Sequence, residues 1–204
     1  MLGQNRIQPE EAYEELKKDT YLNPIVERWG RCILKRGENY FWELVRSILA
    51  QQISTKVAQK LGDRVKDYYQ GKVTPVVVAS SSVEELRELG VSARKAETIL
   101  TIASLCVQGN LRLEDFDQKS DKEIEAELTQ IKGVGSWTVT MFLIFALNRS
   151  RVVPSGDFGI RKAIQLLYGL DEIPPSEIVE KYYKAWAPHE SAVSWYLWRS
   201  LENS

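Results

Sequence analysis

The sequence has few of the residues on which disulfide frameworks and metal centres depend. Its 204 residues include two cysteines, Cys32 and Cys106, and one histidine, His189. Two thiols provide neither a disulfide framework nor an iron–sulfur cluster site, so a reducing, cytosolic environment is expected. His189 lies in a proline-containing loop, where we expect a surface residue and not a catalytic one.

Long apolar runs are also missing. The longest, Met141 to Leu147, is far too short to span a bilayer, and the opening MLGQNRIQPEE contains no apolar signal region. We therefore expect no membrane partner. Hydrophobic residues make up 44% of the chain, which argues against a disordered protein.

A basic excess is absent, because the formal net charge is −1. Nucleic-acid-binding proteins usually carry more positive charge than this. Backbone amides at turns and helix starts can nevertheless hold phosphates without any side-chain charge. The charge thus counts against a nucleic-acid binder without excluding one.

Helical periodicity runs through most of the chain. VTPVVVAS, residues 73 to 80, is compatible with a short strand or a short helix, and no other segment suggests a strand. Capping boxes at Ser82/Glu85 and Ser120/Glu123, with apolar stripes and glycine stops, predict about ten helices. The predicted class is all-α, with short connections.

A glycine turn interrupts the segment TQIKGVGSWTVTMF, residues 129 to 142. Lys132, Gly133, Val134 and Gly135 separate a polar helical run from an apolar one. Glycine tolerates positive φ, and the amides at the start of the second helix are suited to a phosphate. An ordinary helix–helix turn explains the same residues, and a lone GxG does not decide between the two.

Asp157 stands at the start of a helix predicted from Phe158 to Tyr168. An aspartate there is most often an N-cap. A glycine hairpin, a helix, a loop and then an aspartate at the next helix start is a combination that favours a functional carboxylate.

Five segments resemble those of one enzyme family and occur in its order, from about Phe41 to the end. They are FWELVRSILAQQIS, LGVSARKAETILTIA, LTQIKGVGSWTVTMF, DFGIRKA and WAPHESAVSWYLWR. The chain resembles the helix-hairpin-helix Gly/Pro/Asp superfamily of DNA base-excision glycosylases, and most closely the 3-methyladenine DNA glycosylase II family. This implies two helical lobes with a cleft between them: residues 40–149, and residues 1–39 with 150–204.

The resemblance implies that Asp157 is the catalytic carboxylate and stabilises positive charge on the deoxyribose while a damaged purine leaves. Bifunctional relatives carry a lysine where this chain has Trp137, so a monofunctional enzyme without lyase activity is expected. The implied substrates are 3-methyladenine, 7-methylguanine, hypoxanthine and ethenoadenine in double-stranded DNA. A monomer in the nucleoid or nucleus is expected, with no required cofactor.

Aromatic residues are expected to receive the flipped base. Trp137 and Trp198 match pocket positions of the family, and Met141 follows Trp137 by one helical turn. Electron-rich indoles stack well on cationic bases. Tryptophan on an apolar helix face is otherwise a core residue, which is the alternative for both.

The resemblance assigns DNA contacts to a loop and to the hairpin. Gln52 matches the residue that fills the gap left by the flipped nucleotide, although AQQIS is equally explained as a polar loop whose Ser54 caps the next helix. The expected DNA-contacting residues are Gln51, Gln52, Ser54, Lys132, Gly133, Val134, Gly135, Arg161 and Lys162. Solvated surface is the alternative for the last two.

A monovalent cation, Na⁺ or K⁺, often lies in the hairpin of the superfamily. Its ligands here would be the backbone carbonyls of Thr129, Ile131 and Val134. Glu190 stands where relatives often have an arginine, which removes an expected phosphate or ion-pair contact. A non-catalytic DNA-binding module and a bifunctional glycosylase/lyase are the alternative functions.

Overall fold

Helices account for the regular structure of this chain. The computed structural model describes residues 6–202, and within that range the only extended pairing is an isolated antiparallel bridge between Arg6 and Arg149. The all-α class is thereby confirmed. The α-helices of the described range are α1 (Pro9–Leu16), α2 (Asn23–Trp29), α3 (Tyr40–Ala50), α4 (Thr55–Tyr68), α5 (Pro75–Ala79), α6 (Val83–Glu88), α7 (Ala93–Val107), α8 (Asp121–Leu128), α9 (Ser136–Phe145), α10 (Phe158–Tyr168), α11 (Ser176–Tyr183) and α12 (Glu190–Ser200), with 3-10 helices at Leu113–Gln118 and Lys184–Trp186.

Side-chain caps fix where many of these helices begin. Both predicted capping boxes form: in α8 the Ser120 hydroxyl accepts from the Glu123 amide, and the Glu123 carboxylate accepts from the Ser120 amide at 2.7 Å. The ambiguous segment 73–80 contains α5, because Pro75 occupies its first turn and the Thr74 hydroxyl caps it.

The structure divides into two compact units. One unit is Gly37–Phe142. In it α7 packs against α3, α5 and α6, and its buried face includes Ala96, Ile99 and Ile102. Apolar residues recur along α7 with the period of an α-helix, and this gives the helix the buried face that packs against its neighbours.

The other unit contains the residues up to Arg36 and those from Leu143 onward. Helix α12 packs there against α1, α2 and α10. The Arg199 guanidinium lies 5.3 Å from the ring centre of Trp29 and 5.4 Å from that of Trp195, so it joins α2 to α12 by cation–π contacts. Helix α2 ends at Trp29, because Gly30 adopts a φ of +65°.

The second boundary between the units lies within α9, between Phe142 and Leu143, whereas the sequence predicts it after residue 149. Buried apolar residues follow one another along this helix, among them Val139, Phe142 and Ile144. Because α9 is apolar on all sides, its sequence shows no change in hydrophobic pattern that would mark a boundary between units.

Neither cysteine has the properties of a reactive thiol. Burial raises the pKa of Cys32 and that of Cys106 to about 11, so both stay protonated near neutral pH. Within residues 6–202 no helix has the length and apolar character needed to cross a bilayer.

The capping box of α8 is a measurable source of stability. Ser120→Ala should lower the free energy of unfolding by about 1 kcal/mol, because the Glu123 amide loses its acceptor. Ser176→Ala is the matched control, since Ser176 follows Pro175 at the start of α11, where no side-chain cap forms. Urea unfolding of both variants measures the difference, and equal losses would contradict the assignment.

Candidate functional site

The glycine segment forms a tight turn between α8 and α9. The Val134 amide donates to the Ile131 carbonyl at 3.0 Å, and Gly133 adopts a φ of +95°. Gly135 has no positive φ, so of the two glycines only Gly133 uses the conformational freedom that glycine provides. Val134 is buried, which anchors the turn to its unit.

Gly133 is required by its contact with α7. A β-carbon added at Gly133 would lie 2.1 Å from the Thr98 Oγ1 atom, far inside van der Waals contact. The Thr98 hydroxyl donates to the Arg94 carbonyl at 2.9 Å and lies 3.1 Å from the Lys132 carbonyl. A β-carbon added at Gly135 would meet no atom within 4 Å. The two glycines therefore have different structural roles.

The outer side of the turn presents hydrogen-bond donors. Among the described residues, no acceptor bonds the amides of Gly133, Gly135 or Ser136, and Gly135 and Ser136 are exposed. These amides precede or begin α9, where the helix dipole is positive, and Lys132 is exposed beside them. Such an arrangement is suited to an anion such as a phosphate.

The loop between α3 and α4 is tied to this turn by Gln51. Its side-chain Nε2 donates to the Gly133 carbonyl at 3.0 Å and to the Thr138 hydroxyl at 2.8 Å. Gln51 thus makes its side-chain contacts within the protein. Ser54 caps α4 by accepting from the Val57 amide.

Gln52 occupies the tip of the same loop in an unusual conformation. It is exposed and has a φ of +58°, in the left-handed region that non-glycine residues seldom adopt. A single residue there carries roughly 1–2 kcal/mol of strain. The conformation persists because neighbouring residues are fixed, and the side chain extends from the loop unpaired among the described residues.

Lys95 is a residue of this region that sequence reasoning missed. Its ammonium donates to the carbonyls of Leu49 and Gln51, each at 2.8 Å, at the C-terminal end of α3. Burial lowers the pKa of Lys95 from its ordinary value. Lys95 lies inside the quoted LGVSARKAETILTIA segment, but nothing in the local pattern separates it from a solvated lysine.

Asp157 is both an N-cap and the acceptor of a second bond. Its Oδ1 atom accepts from the Ile160 amide at 2.9 Å, which caps α10, and from the Trp198 Nε1 atom, also at 2.9 Å. The half-buried carboxylate is thus oriented by two donors from α10 and α12.

Two further neighbours lie close to Asp157. The Trp198 ring stacks on Phe145, with centroids 5.6 Å apart and planes 23° from parallel. Gly159 lies so close that an added β-carbon would be 3.0 Å from Asp157 Oδ1 and 3.2 Å from Trp198 Cδ1. Gly159 is a second missed residue, and the letters DFG give its only signal.

The other proposed pocket residues lie on α9. Trp137 and Met141 are four positions apart and therefore share one side of the helix. Trp137 is half-buried and Met141 is buried, with 5% of its surface exposed.

Arg161 and Lys162 make contacts near their own helix. Arg161 donates to the Pro174 carbonyl at 2.7 Å, and Lys162 donates to the Gln165 side chain at 2.8 Å. Both are half-buried, so neither is the freely solvated surface residue of the alternative hypothesis.

The backbone carbonyls of the hairpin differ in their hydrogen bonding. Those of Thr129 and Val134 accept no hydrogen bond from the described residues, whereas the Ile131 carbonyl accepts from the Val134 amide. Carbonyl oxygens with spare lone pairs fit a hard monovalent cation. Within residues 6–202 no group of three or more His, Cys, Asp or Glu side chains could hold a metal ion.

The expectation of a surface histidine is wrong. His189 is 7% exposed and occupies the cap position before α12, and its amide donates to the Trp186 carbonyl at 2.8 Å. His189 is buried although the preceding Ala187 and Pro188 are exposed, and the local sequence does not reveal this difference. The adjacent Glu190 has a buried Oε2 atom without a hydrogen-bond partner in the described structure.

A model of the HhH-GPD superfamily of base excision DNA repair proteins matches residues 45–189. This range contains the loop, the hairpin and Asp157. The chain belongs to this superfamily.

Individual relatives narrow the likeness within the superfamily. DNA-3-methyladenine glycosylase 1 of Schizosaccharomyces pombe is 34% identical over 198 residues, which cover 90% of this chain and 86% of that protein. Its structure in complex with abasic DNA has a TM-score of 0.86 and covers 93% of this chain and 96% of that one. A 3-methyladenine DNA glycosylase of Archaeoglobus fulgidus has a TM-score of 0.82 at 30% identity, over 94% of this chain and 69% of that one.

The unequal roles of the two hairpin glycines can be measured. Gly133→Ala should lower the free energy of unfolding by about 2 kcal/mol or more, because its β-carbon meets Thr98 and its φ is positive. Gly135→Ala, the matched control, should change it by less than about 0.5 kcal/mol. Denaturant unfolding of both proteins tests this, and comparable losses would contradict the distinct roles.

Proposed function

We propose that the protein is a monofunctional DNA glycosylase that flips alkylated or otherwise labile purines out of duplex DNA and releases them by hydrolysis. The observation that carries the proposal is the carboxylate of Asp157, oriented on one oxygen by the Ile160 amide and the Trp198 indole. A cap alone needs the first of these donors but not the second.

The reaction breaks the bond between C1′ of the deoxyribose and the purine nitrogen, and the electron pair leaves with the base. Positive charge then develops on the sugar. The fixed negative charge of Asp157 stabilises it, and a water molecule adds its oxygen to C1′ and gives up a proton. An alkylated purine is often already cationic and a good leaving group, so one carboxylate suffices.

Trp198 orients the carboxylate in this proposal. Its N–H donates to Asp157, and one face of its ring stacks on Phe145. Because these contacts already engage the indole, we propose that contact with the base is a secondary role of Trp198. Trp137 and Met141 are proposed to contact the flipped base. Trp137 offers no amine for a Schiff base, and a strand-cleaving step of that kind is therefore not expected at this position.

Duplex DNA with a damaged base is the proposed partner. The amides of Gly133 and Gly135, beside Lys132 and Val134, would bind a phosphate, and Gln52 would fill the gap left by the flipped nucleotide. Ser54 supports that loop as a cap, and Arg161 and Lys162 are proposed to reach the DNA backbone. The protein would act as a monomer where DNA is, in the nucleoid or the nucleus.

A monovalent cation fits the hairpin carbonyls. Thr129, Ile131 and Val134 would hold Na⁺ or K⁺, which supplies positive charge next to a DNA phosphate. The chain's own amides do the remaining binding, and no cofactor is required for the chemistry.

The function is tested with duplexes containing one 7-methylguanine or one hypoxanthine. The protein should release the base and leave a strand that breaks only after hot alkali. Asp157→Asn should slow release by roughly 100-fold or more, because the neutral amide does not oppose the charge on the sugar. The substituted side chain still caps α10, so stability should be nearly unchanged.

Exposed Asp171, beyond the end of α10, provides the matched control, and Asp171→Asn should release bases at the wild-type rate. Near-normal release by Asp157→Asn would leave Asp157 as a cap and nothing more. Strand breakage without alkali would indicate a lyase, and no release from any lesion would indicate a non-catalytic DNA-binding module.

Trp198→Phe separates orientation of the carboxylate from stacking. Phenylalanine retains an aromatic ring beside Phe145 but has no N–H for Asp157. Because a hydrogen bond to a charged group contributes about 1.5–3 kcal/mol, the single-turnover rate should fall roughly tenfold or more. DNA affinity should stay nearly constant, and a loss confined to affinity would contradict the orienting role.

A further inference from the structure

The beginning of α7 lies against both candidate DNA-contacting segments of the Gly37–Phe142 unit. These segments are the loop (residues 51–54) and the hairpin (residues 129–135). The Lys95 ammonium donates to carbonyls on either side of residue 50, at Leu49 and Gln51, each at 2.8 Å. One turn further along α7, the Thr98 hydroxyl lies 3.1 Å from the Lys132 carbonyl.

Gln51 joins the two segments directly. Its backbone carbonyl accepts from Lys95, while its side chain donates to the Gly133 carbonyl and the Thr138 hydroxyl. The hydrogen bonds of Lys95 and Gln51, with the close contact of the Thr98 hydroxyl to the Lys132 carbonyl, therefore connect loop, hairpin and α7 in a closed ring. In such a ring, a shift of the loop breaks at least one bond to α7 or to the hairpin.

The bonding of Lys95 is not that of a surface lysine. It is half-buried, it makes no ion pair among the described residues, and its bonded acceptors are backbone carbonyls at the end of α3. Those carbonyls have no partner further along α3, and a cation is favourable at the negative end of the helix dipole. The ammonium thus fixes the chain immediately before Gln52, whose strained φ needs rigid neighbours.

We propose that Lys95 is a positioning residue for base extraction, which holds the loop at a fixed distance from the hairpin. This inference rests on the proposed function. Extraction requires the hairpin to retain the DNA backbone while Gln52 displaces a stacked nucleotide. If the loop could move relative to the hairpin, the DNA would displace Gln52, and the base would remain stacked in the duplex.

The test compares one lesion in two contexts. Lys95→Met keeps the length of the side chain but has no donor, and Lys95→Arg keeps a cation that donates to carbonyls. Single-turnover release is measured for 7-methylguanine paired with cytosine, and for 7-methylguanine opposite an abasic site. The second base is unpaired and needs less work to extract.

Lys95→Met should slow release from the paired duplex by roughly 10- to 100-fold, and from the unpaired context by less than about threefold. Affinity for undamaged duplex should change by less than about threefold, and Lys95→Arg should recover most of the rate. Lys122→Met is the matched control: it removes an exposed lysine on α8 whose side chain has no partner among the described residues, and should match wild type in both contexts.

Equal losses in both contexts would overturn the proposal, because Lys95 would then act on the chemistry or on folding in general. An unaffected Lys95→Met enzyme would also overturn it. If Lys95→Met does not fold, Gln51→Met tests the same ring from its other side and should show the same dependence on pairing. Wild-type protein inactive on both duplexes would instead refute the proposed function.

Discussion

The contact between Gly133 and Thr98 is the constraint on which the hairpin depends. No side chain fits between that backbone and α7, since even a β-carbon would lie 2.1 Å from the threonine oxygen. The close approach allows Thr98 to reach the Lys132 carbonyl and Gln51 to reach the Gly133 carbonyl. The carbonyls of Lys132 and Gly133 are contacted from within the protein, whereas the amides of Gly133, Gly135 and Ser136 have no acceptor among the described residues and are suited to an anion.

This arrangement resolves an apparent conflict in the composition. A chain with a net charge of −1 has no general electrostatic attraction for DNA. Amides at a helix start provide positive potential at one point without raising the charge of the whole protein. In the proposed function these amides would bind the phosphate backbone and position the protein, and recognition of a lesion would come from groups that contact the base.

At Asp157 the structural role of an N-cap is compatible with the proposed chemical role. The bond to the Ile160 amide is an ordinary N-cap, and the helix start at Phe158 needs it. The same bond, with that from Trp198, fixes the direction of the carboxylate. Gly159 leaves the space that this geometry requires. The choice between a cap and a functional carboxylate, which the sequence leaves open, is therefore not exclusive.

Local sequence determined the helices, their caps at Ser82 and Ser120, and the stop at Gly169, because these depend on residues a few positions apart. The residues themselves also predicted the glycine turn at Gly133 and the helix start after Asp157, and both are present. Only the tertiary structure decided that Lys95 bonds the end of α3, that Trp198 bonds Asp157 across 41 positions, and that His189 is buried. Those contacts join residues far apart in the chain, and no local periodicity encodes which distant helix will cover a given side chain.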